Sequence, residues 1–257
     1  MNRAWFRFYT DLNEFLAHSR REKTFEYSFG PDQSVKHLIE AMRVPHTEVG
    51  KVLVNGIPVN FSYLVRDGDH VEVFPIVASG SKQGAEAATV VSTDAASPLQ
   101  SKNGQSRFIL DNHLGKLAAY LRMLGFDTLY RNDYQDDELA KVASEEDRIL
   151  LSRDRGLLMR RAIQRGHCLH TMDPKQQVVE VVQRFDLFDE IQPFQRCLRC
   201  NSPLHPVDKQ LILDRLEPLT RLYYNEFHIC AACDQIYWKG SHYERMRRFL
   251  EKIRAEE

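Results

Sequence analysis

The chain has 257 residues, 43% of them apolar and 28% charged, with a formal net charge of −1. That is enough apolar material for a buried core and enough length to favour about two domains, which excludes a disordered or fibrous polymer. Balanced charge means that any hold on nucleic acid must come from local basic patches. No apolar run approaches the roughly 18 residues of a membrane span, and the N-terminus lacks the apolar stretch of a signal peptide, so a cytoplasmic protein without a membrane partner is expected.

Strand-like runs at residues 5–9 and 24–29 precede a helical pattern of Val35, Leu38, Ile39 and Met42, which Ser34 is placed to cap. A strand at 51–54 reaches the turn pair Asn55-Gly56. Pro58-Val59 follows, and the turn Arg66-Asp67-Gly68-Asp69 leads to a closing strand at 70–75. This order predicts a small α+β domain over residues 1–78. The runs VNGIPV and VRDGDHVEVFPIV resemble the ubiquitin-like β-grasp proteins, sulfur carriers above all. Those carriers act through a terminal Gly-Gly, whereas Ser79-Gly80 continues into further chain. The resemblance therefore implies a docking or substrate-presenting module with a protein partner.

Residues 79–106 contain no aromatic residue and are rich in Ser, Gly, Ala, Gln and Lys. Such a composition predicts a flexible linker, with the segments on either side folding separately. From residue 107 the element types alternate. A strand at 108–110 leads to a helix with Leu114, Leu117, Ala118, Leu121 and Leu124, closed by Gly125, and then to a strand at 128–130. A helix opening at Asp136-Asp137-Glu138 and a strand at 149–152 follow. Next come a helix with Leu157, Leu158, Ala162 and Ile163, a strand near 168–171, and a helix opened by Asp173-Pro174. The fold class expected over residues 107–192 is α/β, a parallel sheet with helices on both faces.

Two of these strands run into aspartates, Asp111 and Asp154, and the acidic cluster Asp136-Asp137-Glu138 lies between them. Taken singly, Asp136, Asp154 and Asp173 are well explained as helix caps. Capping does not predict that Asp111 and Asp154 both leave apolar strands at what should be one sheet edge, where ligands of open parallel sheets gather. Carboxylates brought together repel unless a cation neutralises them, and hard oxygen ligands select Mg²⁺ or Mn²⁺. A metal-dependent nuclease is the expected chemistry. Arg153 and Arg155 beside Asp154, with Lys116 and Arg122 on the first helix, are candidates to hold substrate phosphate, against the alternative of an ordinary solvated face.

Four of the five cysteines form two CxxC pairs, Cys197/Cys200 and Cys230/Cys233. This is the spacing of a zinc ribbon, expected over residues 193–257 with a structural Zn²⁺, because four thiolates leave no open position for water. The long interval between the pairs predicts an extended hairpin or a small insertion. Cys168 reads as a small buried hydrophobe. Aromatic and basic residues interleave at Tyr223, Tyr224, Phe227, His228, Tyr237, Trp238 and Lys239, a set suited to stacking on unpaired bases or to filling the ribbon's own core. The closing helix is amphipathic, with Tyr243, Met246, Phe249, Leu250 and Ile253 on one side.

The stretch FILDNHLGKLAAYLRMLGFDT, together with LLSRDRGLL, resembles the Mut-seven C-terminal RNase family, a compact branch of the PIN-like nucleases. The resemblance runs from about Arg107 through the ribbon cysteines. It implies a ribonuclease dependent on Mg²⁺ or Mn²⁺, with Asp111 as the first-strand acid, Asp154 as the acid of the SRD element, and Asp136 or Asp137 as the middle acid. A zinc ribbon and a β-grasp extension belong to the same picture. Larger PIN domains also carry a glutamate in a helical insertion that has no counterpart here, which motivates a second expectation: an RNA- or protein-binding adaptor with a weakly active or inactive core. A homodimer, common among PIN domains, is a further expectation.

Overall fold

The structure, a computed structural model, describes residues 1–76 and 106–255. The N-terminal segment runs β1 (Asn2–Phe8), β2 (Phe25–Phe29), α1 (Val35–Ala41), β3 (Val49–Val54), β4 (Ile57–Val59) and β5 (His70–Pro75). Then come β6 (Arg107–Leu110), α2 (Gly115–Met123), β7 (Asp127–Tyr130), α3 (Asp136–Glu145), β8 (Ile149–Ser152), α4 (Arg155–Leu158), β9 (Gly166–Cys168) and α5 (Pro174–Arg184). The last segment holds β10 (Leu204–Val207), α6 (Pro218–Tyr223), β11 (Phe227–Cys230), β12 (Ile236–Tyr237) and α7 (Ser241–Ala255). Two compact units result: residues 1–76 with 135–169, and residues 106–134 with 170–255.

In the first unit the N-terminal strands form a mixed sheet of order β2-β1-β5-β3-β4, with β1 parallel to β5 and the other pairs antiparallel. Ser34 caps α1, its Oγ accepting the His37 N–H at 3.3 Å. Asn55 and Gly56 both take positive φ, 52° and 79°, as the tight hairpin between β3 and β4 requires. This sheet does not stand alone. Glu48, buried in the turn before β3, accepts the backbone N–H of Cys168 on β9 at 2.6 Å and lies 3.0 Å from His167 Nδ1. His46 Nε2 lies 2.8 Å from the Ile163 carbonyl, and its Nδ1 lies 2.7 Å from Glu40. The expectation of separate folding thus gives way to an interior that the N-terminal sheet shares with residues 135–169. The expected linker lies outside the described residues except for Ser106, whose N–H donates to Glu190 at 2.9 Å.

The parallel pair β8–β9 completes the first unit, with α3 and α4 packed on it. Three expectations are corrected. Asp136 is not the cap of α3: that position belongs to Gln135, whose N–H donates to Glu138 at 3.1 Å, leaving Asp136 in the first turn. The helix expected through Ile163 stops at Leu158. The chain must turn back early to start β9, which spans 166–168 rather than 168–171, and Leu150 accordingly donates to the Arg165 carbonyl at 3.1 Å.

In the second unit β6 and β7 pair in parallel, Phe108 opposite Thr128. Residues 108–110 of β6 are wholly buried, as a strand covered on both faces must be. The Phe108 ring meets Phe126 edge-on at 5.7 Å and Phe185 at 6.1 Å. Asp173 caps α5, accepting from the N–H groups of Lys175 and Gln176, with Pro174 at the first helical position. The helix α2 ends at Gly125 in the left-handed region, with Phe126 N–H bonded back to the Leu121 carbonyl at 3.0 Å. The remaining strands, β10-β11-β12, form a small antiparallel sheet. The expected α/β core of parallel strands and helices, N-terminal sheet domain and cysteine ribbon are all present. No helix among the described residues is long and apolar enough to cross a membrane.

Two substitutions probe these joints. A Cβ at Gly125 would stand 1.9 Å from the Gln192 carbonyl oxygen, and φ there is +102°. Gly125→Ala is expected to cost at least about 2 kcal/mol in urea unfolding, since the left-handed conformation alone costs roughly 1–2. Glu48→Ala leaves a buried imidazole and a buried N–H without their carboxylate. It is expected to lower stability by about 3 kcal/mol or more, and an unchanged midpoint would contradict the docking role.

Candidate functional site

The four ribbon cysteines come together. One ligand atom from each of Cys197, Cys200, Cys230 and Cys233 lies within 4.8 Å of all the others, with Cys197–Cys233 and Cys200–Cys230 sulfur distances of 3.5 and 3.4 Å. A tetrahedral ion with Zn–S bonds of about 2.3 Å demands sulfur–sulfur edges near 3.8 Å, so the donor set fits structural zinc. The two knuckles share one backbone pattern. Asn201 N–H bonds to the Cys197 carbonyl at 2.9 Å, Asp234 N–H to the Cys230 carbonyl at 2.8 Å, and both residues take positive φ. Asn and Asp enter that region more easily than other side chains, a cue immediately after each second cysteine that the spacing argument overlooked.

The thiols are shifted in opposite directions. Burial raises the Cys200 thiol, but hydrogen bonds from Ser202 and the neighbouring cysteines outweigh it and bring the pKa down to about 6. Cys230 and Cys233 move the other way, pushed up by burial first and by their sulfur neighbours second, Cys233 to about 12. One thiolate forms readily, and its charge disfavours the next.

Beneath the first knuckle lies Arg122. Its guanidinium is buried, donating to the Thr128 carbonyl at 2.9 Å and to the carbonyls of Leu198 and Arg199 at 3.0 and 3.2 Å. Burial lowers its pKa, while the sulfurs of Cys197 and Cys200 and the carboxylate of Asp127 draw it back up. The phosphate-binding role expected of Arg122 gives way to a structural one: it neutralises charge below the cysteine cluster and ties α2 to the knuckle. Asn201 adds a second tie. Its Oδ1 accepts the Thr128 N–H at 3.0 Å and its Nδ2 donates to Asp127 at 2.8 Å. Lys116, on the same helix α2, is exposed.

The acids are held differently. Asp111 follows β6 directly, with its side chain largely shielded and accepting its neighbour's N–H, that of Asn112, at 2.6 Å. The Asn112 side-chain Oδ1 is buried and has no hydrogen-bond partner among the described residues. Asp154 follows β8, exposed, and caps α4 by accepting from Gly156 at 2.7 Å and Leu157 at 3.4 Å. Asp136 and Asp137 are brought together by Arg160, which reaches Asp136 at 3.4 Å and bonds Asp137 with its other terminal nitrogen. Asp137 is the principal cause of the raised pKa of Arg160. Arg153 is exposed beside Asp154. Arg155 instead donates to the Phe15 carbonyl at 3.0 Å and lies over the Phe15 ring at 4.8 Å, so it serves the joint with the N-terminal sheet.

Arg122→Ala is expected to strand two knuckle carbonyls at about 1–3 kcal/mol each and so lower the thermal midpoint by several degrees. Arg161→Ala, at an exposed position, serves as the control and should leave it unchanged. Zinc-selective chelation should remove one equivalent of metal and lower the midpoint further. A chelated protein that melts as before would contradict the zinc assignment.

Comparison with known proteins agrees with this architecture. Residues 106–250 match the Mut7-C RNAse domain, and residues 1–80 match the Mut7-C ubiquitin domain. No curated protein matches the chain. With more than half of its length covered by the nuclease match, the chain belongs to the Mut7-C RNAse family and carries an N-terminal Mut7-C ubiquitin-like domain.

Proposed function

We propose that the protein is a ribonuclease that hydrolyses RNA phosphodiester bonds with Mg²⁺ or Mn²⁺ held by Asp111, Asp154 and either Asp136 or Asp137. The observation that carries the reading is that Asp111 and Asp154 each leave the carboxyl end of a buried parallel strand, β6 and β8, the end where open α/β sheets take ligands. The chemistry of these residues is what a hard cation prefers. They offer carboxylate oxygens, the buried Asn112 Oδ1 lacks a donor among the described residues, and Asp136 and Asp137 already share a cationic partner in Arg160.

When bound, the ion would neutralise the carboxylates that hold it and polarise the scissile phosphate. The chain's own residues supply the rest. Asp111 is held by its packed strand and by the Asn112 N–H, so its carboxylate direction is set before substrate arrives. Asp154 is oriented by the two N–H groups it caps. Exposed Arg153 and Lys116 carry positive charge suited to RNA phosphate, whereas Arg122 and Arg155 serve structural contacts.

Asp111→Asn is expected to lower Mn²⁺-dependent cleavage of labelled mixed RNAs by about 100-fold or more, the scale of losing one preorganised electrostatic partner, with zinc content and thermal midpoint unchanged. Metal-independent RNA binding with no cleavage in the parent protein would favour the adaptor reading. A fully active Asp111→Asn protein would overturn the site.

A further inference from the structure

The ribbon contains a cavity of about 440 Å³ whose lining includes Tyr224, Trp238 and Tyr243, with Gln235, Arg196 and His242 among its polar members. The geometry points to a binding pocket for an unpaired RNA base, separate from the carboxylates and deepening the ribonuclease reading on which it rests. Tyr224 and Trp238 are half-buried, their ring centroids 6.3 Å apart and their planes tilted by 50°. They pack on the ribbon core yet keep part of each ring accessible, so the rings are not used up by the protein's own interior. A volume of this size takes a planar heterocycle with its sugar, and aromatic faces stack on any base.

The polar members favour a base attached to phosphate over an aromatic peptide side chain. No carboxylate lies among the lining residues, and Glu244 in the adjoining turn of α7 is paired with Arg247 at 2.9 Å. The exposed Gln235 carboxamide can pair with a base edge, and the exposed His242 ring stacks on Tyr120 at 6.2 Å. Arg196 is ion-paired with Asp127 at 3.4 Å and offers hydrogen-bond donors rather than net positive charge. The cavity also abuts the first turn of the fifteen-residue helix α7, where backbone N–H groups lack intrahelical partners and the helix dipole is positive. Stacking supplies tolerance of base identity and the amides supply attraction for the adjoining phosphate. Such a subsite would hold single-stranded RNA while another part of the strand is cut.

The test uses the full-length, zinc-loaded protein and a fluorescein-labelled single-stranded RNA octamer, without Mg²⁺ or Mn²⁺, read by anisotropy. The double variant Gln235→Ala/His242→Ala changes exposed side chains only, and Trp238→Leu removes a stacking face. Loss of one stacked base corresponds to a weakening of about 5-fold to 150-fold. Both variants are expected to weaken binding within that range, an octamer with abasic sites to bind correspondingly worse, and adenosine monophosphate to compete. Variants that bind as tightly as the parent would overturn the pocket, as would equal affinity for the abasic octamer. So would competition by a tyrosine-containing peptide but not by the nucleotide. Cleavage with Mn²⁺ alongside unaffected pocket variants would sink the pocket alone, whereas pocket-dependent binding without cleavage would sink the nuclease reading alone.

Discussion

Concentrated negative charge has to be answered by positive charge, and much of this molecule is arranged around that requirement. Four sulfurs crowd within 4.8 Å, and the buried guanidinium of Arg122 lies against the backbone that carries two of them. Asp136 and Asp137 share Arg160, and the buried carboxylate of Glu48 meets His167 together with a backbone N–H. A desolvated carboxylate or thiolate without such a partner would be neutralised by a shifted pKa or would destabilise the fold. These pairings also fix geometry: Arg122 joins α2 to a cysteine knuckle, and Glu48 joins the N-terminal sheet to β9. The ubiquitin-like domain is therefore part of one packed unit with residues 135–169 rather than a freely tethered appendage.

Local signals were legible in the sequence. The cysteine spacing, the Ser34 cap, the Asn55-Gly56 turn and the Gly125 stop each act within a few residues, so composition and position suffice to find them. Long-range partnerships were not. Glu48 and His167 are 119 residues apart, and nothing in either neighbourhood marks a buried carboxylate–imidazole contact. Arg122 reads as an exposed helix cation on spacing alone. Only the folded chain shows that its side chain dives under the knuckle, 76 residues away, to reach the Leu198 carbonyl. The capping argument held for Asp154 and Asp173 and failed for Asp136, because Gln135 with Glu138 forms the competing reciprocal pair one residue earlier. The helix after Asp154 was overestimated, since apolar periodicity continues in Ile163 although the chain has already turned toward β9.

The same contrast separates the two metal proposals by their grounds. The zinc site rests on four sulfurs whose mutual distances meet a tetrahedral ion, and family membership adds a nuclease setting for the ribbon. The catalytic proposal rests on where two strands end, on a shielded Asp111 beside an unsatisfied Asn112 oxygen, and on the chemistry of carboxylates. Arg155 and Arg122 narrow it further, because removing them from the phosphate-binding set leaves Arg153 and Lys116 as the exposed cations among the four first considered.

Anomalous diffraction from crystals of the full-length protein soaked in Mn²⁺ tests the catalytic centre most directly. The predicted result is a manganese peak within roughly 2.0–2.6 Å of carboxylate oxygens from both Asp111 and Asp154, distinct from the zinc peak among the cysteines. Manganese bound to only one of these aspartates, or to neither, would contradict a shared catalytic cation.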